Sequence, residues 1–266
     1  MWQYPELDPI ALKLGALAIH WYAISYIFGI ALVWWTISIR NTRQNLGWSK
    51  ESLGDLISYG VFGVILGGRM GYMLFYGMDQ LIDDPLSLFK FWQGGMSFHG
   101  GLLGVMFAVF LYAKRHNKTF FGLMDQISPS VPLALGCGRI GNFINGELPG
   151  RVSELPWAVV YPGDSVARHP SSLYQAVIEG LVLFIVMWVF ASKSRPPMAV
   201  SGMFLFAYGL LRGLTEIFRE PDAHIGFVAF GWITTGQLLS LPMFLCGLAI
   251  LIISYRKVRD RGRNKQ

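Results

Sequence analysis

The chain has 266 residues, of which 53% are hydrophobic and 14% charged, with a net charge of +6. An ordinary soluble domain carries roughly 25% charged residues, so this composition excludes a water-soluble globular enzyme. It fits a protein whose solvent is lipid. The positive balance does not indicate a nucleic-acid binder, because the basic residues are sorted along the chain and not gathered on one surface.

A spanning helix needs about 20 mostly apolar residues. Seven stretches approach or exceed that length: Leu17 to Ile39, Leu53 to Tyr76, Met96 to Tyr112, Leu123 to Ile144, Ser171 to Ala191, Met203 to Phe218 and Trp232 to Tyr255. The last runs without a charged side chain. The expected fold is therefore an all-α integral membrane protein with seven transmembrane helices, in a single polytopic domain over residues 1–266. Alternate loops and the tail hold Arg40, Arg43, Lys50, Lys114, Arg115, Lys118, Lys193, Arg195, Arg256, Lys257, Arg259, Arg261, Arg263 and Lys265. The other side holds only Lys13, Lys90, Arg151, Arg168 and Arg219. By the positive-inside rule the N-terminus is expected outside and the C-terminus, with its basic tail 256–266, in the cytoplasm. The N-terminal residues lack the basic region of a secretory signal peptide, so the first helix is expected to be retained. Outer-face loops at about 77–95 and 147–170 are rich in Asp, Pro, Trp and Gly and are expected to cap the outer surface. Cys137 and Cys246 both lie in apolar stretches and suggest packing, not a disulfide or a metal site.

Charged residues inside spans are costly and are functional candidates by default. Arg69, Arg139 and Arg212 fall in the second, fourth and sixth spans, and Glu179 and Glu216 in the fifth and sixth. Helical spacing puts Arg69 with Tyr72 and Tyr76, Arg139 with Asn142, and Tyr208 with Arg212, Glu216 and Arg219. Guanidinium groups bind phosphate oxygens in bidentate fashion, so a shared cavity for a phosphate is expected. Each has a plainer explanation: Arg69 is placed to snorkel to headgroups, and Arg212 with Glu216 is spaced as a structural ion pair. Gly68-Arg69-Met70-Gly71 echoes Gly138-Arg139-Ile140-Gly141, too short a match to establish a repeat.

His99 stands at the outer start of the third span, where an imidazole can act as a general base; a lone histidine is also commonly a satisfied structural group. His20, His116, His169 and His224 have no metal-ligand spacing, and neither metal nor cofactor is implied. Arg139 sits in a run from Gly136 to Arg151 that contains five glycines between Gly136 and Gly150, together with Asn142, Asn145 and Glu147.

That run, Gly138-Arg139-Ile140-Gly141-Asn142-Phe143-Ile144-Asn145-Gly146-Glu147 closing with Gly150, resembles the signature of the prolipoprotein diacylglyceryl transferases of bacterial cytoplasmic membranes. His99-Gly100-Gly101-Leu102-Leu103-Gly104 is similar to that family's His-Gly-Gly segment, and Tyr208 to Asp222 to its sixth-span stretch. The resemblance implies transfer of a diacylglyceryl group from phosphatidylglycerol to the lipobox cysteine of a prolipoprotein signal peptide, releasing glycerol phosphate. Taken with it, His99, Arg139 and Arg212 are expected to be catalytic and Asn142, Asn145, Glu147 and Gly150 to bind substrate, with Tyr22 and Tyr76 lining the pocket; the helical stripes add Arg69, Tyr208, Glu216 and Arg219 as expected substrate-binding residues. A transporter for an anionic solute and a membrane scaffold are the competing classes; inverted repeats with broken helices would favour the transporter.

Overall fold

The structure is a computed structural model that describes residues 1–5, 7–15, 17–90, 94–221 and 226–263. Asp222, His224 and Lys265, singled out above, lie outside the described residues. Helices occupy every stretch expected to span, and four are long and apolar enough to cross a membrane: Trp21–Gln44, Lys50–Phe75, Ser171–Phe190 and Thr235–Asp260. Large apolar side chains on these helices, among them Trp35, Phe62, Ile185 and Leu241, are exposed. Water would penalise so much open apolar surface, whereas hydrocarbon does not. The chain divides into two compact units, one comprising Met1–Ile37 with Asp125–Gln266 and the other Ser38–Met124.

In the second unit, α2 (Lys50–Phe75) packs on α4 (Phe98–Arg115). The sequence dictates this pairing through glycines four apart: Gly63, Gly67 and Gly71 on α2, Gly100 and Gly104 on α4. A Cβ on Gly63 would lie 2.6 Å from the Gly104 carbonyl oxygen, and one on Gly71 2.7 Å from Gly100 Cα. Such small-residue contact lets two backbones meet in lipid, where no hydrophobic force drives helices together. The glycines that follow His99 are thus accounted for by packing. Gly104→Leu is expected to force α2 and α4 apart and lower stability by at least the ~1–3 kcal/mol of an overpacked core, read as a fall in the thermal midpoint in detergent; an unchanged midpoint would refute the contact.

Between α2 and α4 lie α3 (Met78–Asp83) and a 3₁₀ turn (Pro85–Phe89). Arg69, only 1% exposed, points into this loop. Its guanidinium donates to the carbonyls of Leu88 (3.3 Å), Ser87 (2.5 Å), Gly95 (3.3 Å) and Gly94. Nearby, the Lys90 ammonium, 2.6 Å from Asp84, holds that carboxyl below the usual carboxylate range.

The first unit starts with a small sheet. Strand β1 (Trp2–Gln3) pairs in parallel with β4 (Val159–Val160), which pairs antiparallel with β5 (Ala167–Arg168). A hairpin, β2 (Ile10–Leu14) against β3 (Leu17–His20), leads into α1 (Trp21–Gln44). These strands correct the all-α expectation at the N-terminal segment and in the loop after α6. Residues of a short loop cannot complete helical hydrogen bonding, and their N–H and C=O groups pair across a ladder instead. They also shift the first span, since Leu17–His20 is strand and the helix runs on to Gln44.

The fourth stretch is interrupted: α5 (Phe120–Ile127) ends, Ser128-Pro129-Ser130 turns, and α6 (Val131–Ile144) begins with Pro132 in its first turn. Pro129 disfavours helical backbone at Ser128, and Pro132 suits a helix start where no N–H is needed. Asp125 of α5 caps α9 (Ala199–Thr215), accepting from the backbone N–H of Met198 (2.7 Å) and Ser201 (2.8 Å) and from the Ser201 hydroxyl (2.6 Å).

The fifth stretch is continuous but not uniform. It runs as α7 (Ser171–Gln175), a π-helical segment (Ala176–Val182) and α8 (Leu183–Phe190). A π turn inside an α-helix is uncommon and frequently marks a functional position; this one contains Glu179. Last, α10 (Thr235–Arg263) packs on α9, where a Cβ on Gly209 would lie 2.6 Å from the Phe244 nitrogen. Leu183, Met187, Val200, Ala207 and Tyr208 form the apolar core of this unit.

Candidate active site

The site in the first unit is assembled by a close approach of α6 to the π-helical segment. Gly136 and Gly180 face each other so tightly that a Cβ on Gly180 would lie 2.7 Å from Gly136 Cα. One turn beyond Gly136 is Arg139, and beside Gly180 is Glu179. The glycine contact therefore sets the distance between this arginine and this carboxylate, which are 3.7 Å apart.

Glu179 is fully buried and shared. Its Oε1 lies 3.7 Å from Arg212 Nη1 of α9 and accepts a 2.6 Å hydrogen bond from the Thr215 hydroxyl. Arg212 also meets Glu216 at 2.5 Å, although its N–H directions miss the oxygen, so the contact is an ion pair and not a directed hydrogen bond. Glu216 in turn accepts from Thr234 (3.1 Å), and Gly236 is pressed against its carboxylate so closely that any Cβ there would collide. Tyr208, buried on α9, lies near Arg139 and Arg212.

Two guanidinium groups thus face two buried carboxylates. The charges of these four side chains therefore balance within the cluster. What matters is how the charges are held: Arg139 is 3.7 Å from its nearest carboxylate, too far for a hydrogen bond, and a fifth of its side chain remains accessible. It keeps donors for an incoming anion. Glu179 was legible only as the lone acid of the fifth span, and nothing in the sequence revealed that it joins two arginines.

At the end of α6, Glu147 accepts from Asn142 (2.7 Å) and Asn145 (3.1 Å), so these three form one group. The Tyr4 hydroxyl donates to the carbonyls of Phe143 and Ile144 and ties the N-terminal strand to the helix exit. Tyr22 packs against Gly141, where a Cβ would lie 3.0 Å from its ring, shares a 3.1 Å hydroxyl contact with Tyr26, and stands in the electrostatic field of Glu147 and Arg139. A cavity of about 610 Å³ opens here, lined by Tyr4, Asp8, Ile144, Asn145, Gly146 and Pro162 among others.

Gly150 serves the loop that follows α6. A Cβ there would lie 2.5 Å from the Phe218 carbonyl oxygen and 2.6 Å from that of His169, and its own carbonyl accepts from Arg168. Arg219 bridges to Gly150 through its backbone, and its carbonyl accepts from Arg151 at 3.1 Å. His169 is packed between Tyr174 and Phe218, and burial lowers its pKa. Burial likewise pushes the Tyr161 hydroxyl up to about 12.

Arg69, Tyr76 and His99 belong to the second unit. Arg69 donates to loop carbonyls and holds that loop. Tyr76 is exposed and stacked on Tyr72 at 5.9 Å. His99 is exposed in the first turn of α4, edge-on to Phe98. No group of three or more metal-ligating side chains occurs among the described residues.

Fold and site together define a multi-pass membrane protein with a buried guanidinium–carboxylate cluster inside its helices. The chain belongs to the prolipoprotein diacylglyceryl transferase family, whose sequence profile matches residues 9–253, and it is a transferase. Among its relatives, proteins named phosphatidylglycerol–prolipoprotein diacylglyceryl transferase occur in Pseudomonas paraeruginosa (52% identical, covering 100% of this chain and 99% of the relative) and in Ectopseudomonas mendocina (51%, covering 98% and 99%). A third, from Chromohalobacter salexigens, is 50% identical and covers 99% of this chain and 98% of its own length.

Proposed function

We propose that the chain transfers the diacylglyceryl group of phosphatidylglycerol to the thiol of the lipobox cysteine of a prolipoprotein. The reaction takes place at the outer side of a bacterial cytoplasmic membrane that the chain crosses seven times, N-terminus outside. The observation that carries the reading is Glu179, a fully buried carboxylate that holds Arg139 and Arg212 in one cluster. Paired guanidiniums fixed before substrate arrives need no reorganisation as charge develops, which is often the largest contribution to catalysis.

In the transfer, the cysteine sulfur forms a bond to the glyceryl carbon that carries the phosphate ester. The bond from that carbon to the ester oxygen breaks, and its electron pair departs with glycerol phosphate. Arg139, with donors free of carboxylate hydrogen bonds, takes the phosphate oxygens, and Arg212 supports it. Asn142, Asn145 and Glu147 form the polar group that orients the headgroup, beside Tyr22 and Tyr208.

The thiol proton needs a destination, because a free thiol with a pKa near 8.5 is mostly protonated at neutral pH. His99, exposed at the start of α4, is the base in this reading. His99→Asn is expected to lower the transfer rate by about 10²- to 10⁴-fold, the range of general-base catalysis. A loss below tenfold in a single-turnover assay assigns the proton elsewhere. The whole reading is tested by incubating purified protein with phosphatidylglycerol and a lipobox peptide: a mass gain of one diacylglyceryl group on the cysteine supports it, and an unmodified peptide refutes it.

A further inference from the structure

Gln175 is fully buried at the end of α7, one turn before Glu179, yet neither its amide nitrogen nor its amide oxygen has a protein hydrogen-bond partner. Native structures pair the great majority of buried polar side-chain atoms with protein or ordered water, and an unsatisfied one is expensive. The neighbouring groups share the feature. The Ser172 hydroxyl, three residues earlier on the same helical face, and Glu179 Oε2 are also buried without a hydrogen bond. The Tyr161 hydroxyl approaches Ser172 without completing one. Four such atoms along one face supply the two to four polar contacts that an internal water requires.

We propose that Gln175, through internal water, holds Glu179 Oε2 and thereby sets the spacing of Arg139 and Arg212, which makes it a positioning residue for the transfer described above, on which this inference rests. The carboxylate is constrained on its other oxygen by Thr215. Its Oε2 has the 3.7 Å ion pair with Arg139, which is too long to fix a direction; a hydrogen bond to that oxygen stops the carboxylate turning and holds both arginines. Gln175 itself never meets the lipid or the thiol.

The test compares wild type with two variants in the transfer assay with phosphatidylglycerol and a lipobox peptide. Gln175→Leu keeps the volume and removes the amide; kcat is expected to fall by about 10- to 100-fold, the scale on which partners of site ligands act, with a smaller change in KM. Gln175→Glu, when protonated, again offers one donor and one acceptor. It is expected to work on the acid side and to lose activity as pH rises, because its ionised form repels Glu179. The titratable or charged groups on the elements packed against α7 are Cys137 and Arg139 of α6, Tyr208 and Arg212 of α9, and Glu179 itself. All of these are present in wild type, so the difference between the two pH profiles isolates position 175. Leucine activity within about twofold of wild type, or a glutamate profile parallel to wild type, overturns the proposal. Wild-type protein that transfers nothing removes the proposed function along with it, so the two failures are told apart.

Discussion

Arg139→Ala is expected to abolish diacylglyceryl transfer in a routine assay, with a loss of about 10²- to 10³-fold or more, because that is the typical cost of losing one preorganised donor to developing negative charge. The fold should survive. Arg139 is held at 3.7 Å by Glu179 and lies near Tyr208, and its side chain is still partly accessible, so its removal leaves no deep void. The peptide mass shift measures the first point and the thermal midpoint in detergent the second. Near-normal transfer by a well-folded variant would take Arg139 out of the chemistry.

Glu179→Ala is expected to do the opposite in kind: it should damage the fold as well as the reaction. Breaking a buried charge cluster by removing one partner is destabilising by about 3–5 kcal/mol, since the remaining charge is left uncompensated. Here the loss would also leave the Thr215 hydroxyl with only the Arg212 carbonyl as a partner, Arg212 with Glu216 as its remaining carboxylate, and Arg139 without the ion pair it has. Glu179→Gln, which retains the oxygen that Thr215 bonds, should destabilise less while still uncoupling the arginines. Chemical or thermal denaturation of the two variants decides the matter. If alanine at 179 melts within a degree or two of wild type, the carboxylate is not a structural bridge and the geometry of the cluster needs another explanation.

Much of the site was legible because intramembrane charge is conspicuous. Arg139 and Arg212 stand out in apolar helices, and the spacing of Tyr208, Arg212 and Glu216 placed them on one face, as they are. The grouping of Asn142 and Asn145 with Glu147 also followed from the local run, since the three are separated by only a few residues. Arg69 shows where such reasoning fails. Its short glycine-flanked motif echoes that of Arg139, but a guanidinium cannot be assigned a partner from its own helix. The loop after α2 brings carbonyls to it, and that loop's path is not encoded in a four-residue match. The break at Ser128-Pro129-Ser130 was visible as a proline, yet hydropathy averages over it. The π-helical segment left no mark at all, because a single widened turn changes neither composition nor periodicity enough to register.

The sequence by itself determined the solvent, most of the helical stretches and the charged residue types buried within them. Those follow from local quantities: apolar length, charge position and spacing along one helix. Only the tertiary structure decided that Gly136 meets Gly180, that Glu179 therefore lies between Arg139 and Arg212, and that Gln175 is buried one turn away. Those are distances between helices, and they depend on which small residues let two backbones touch, a choice made by the whole packed unit and not by any one segment.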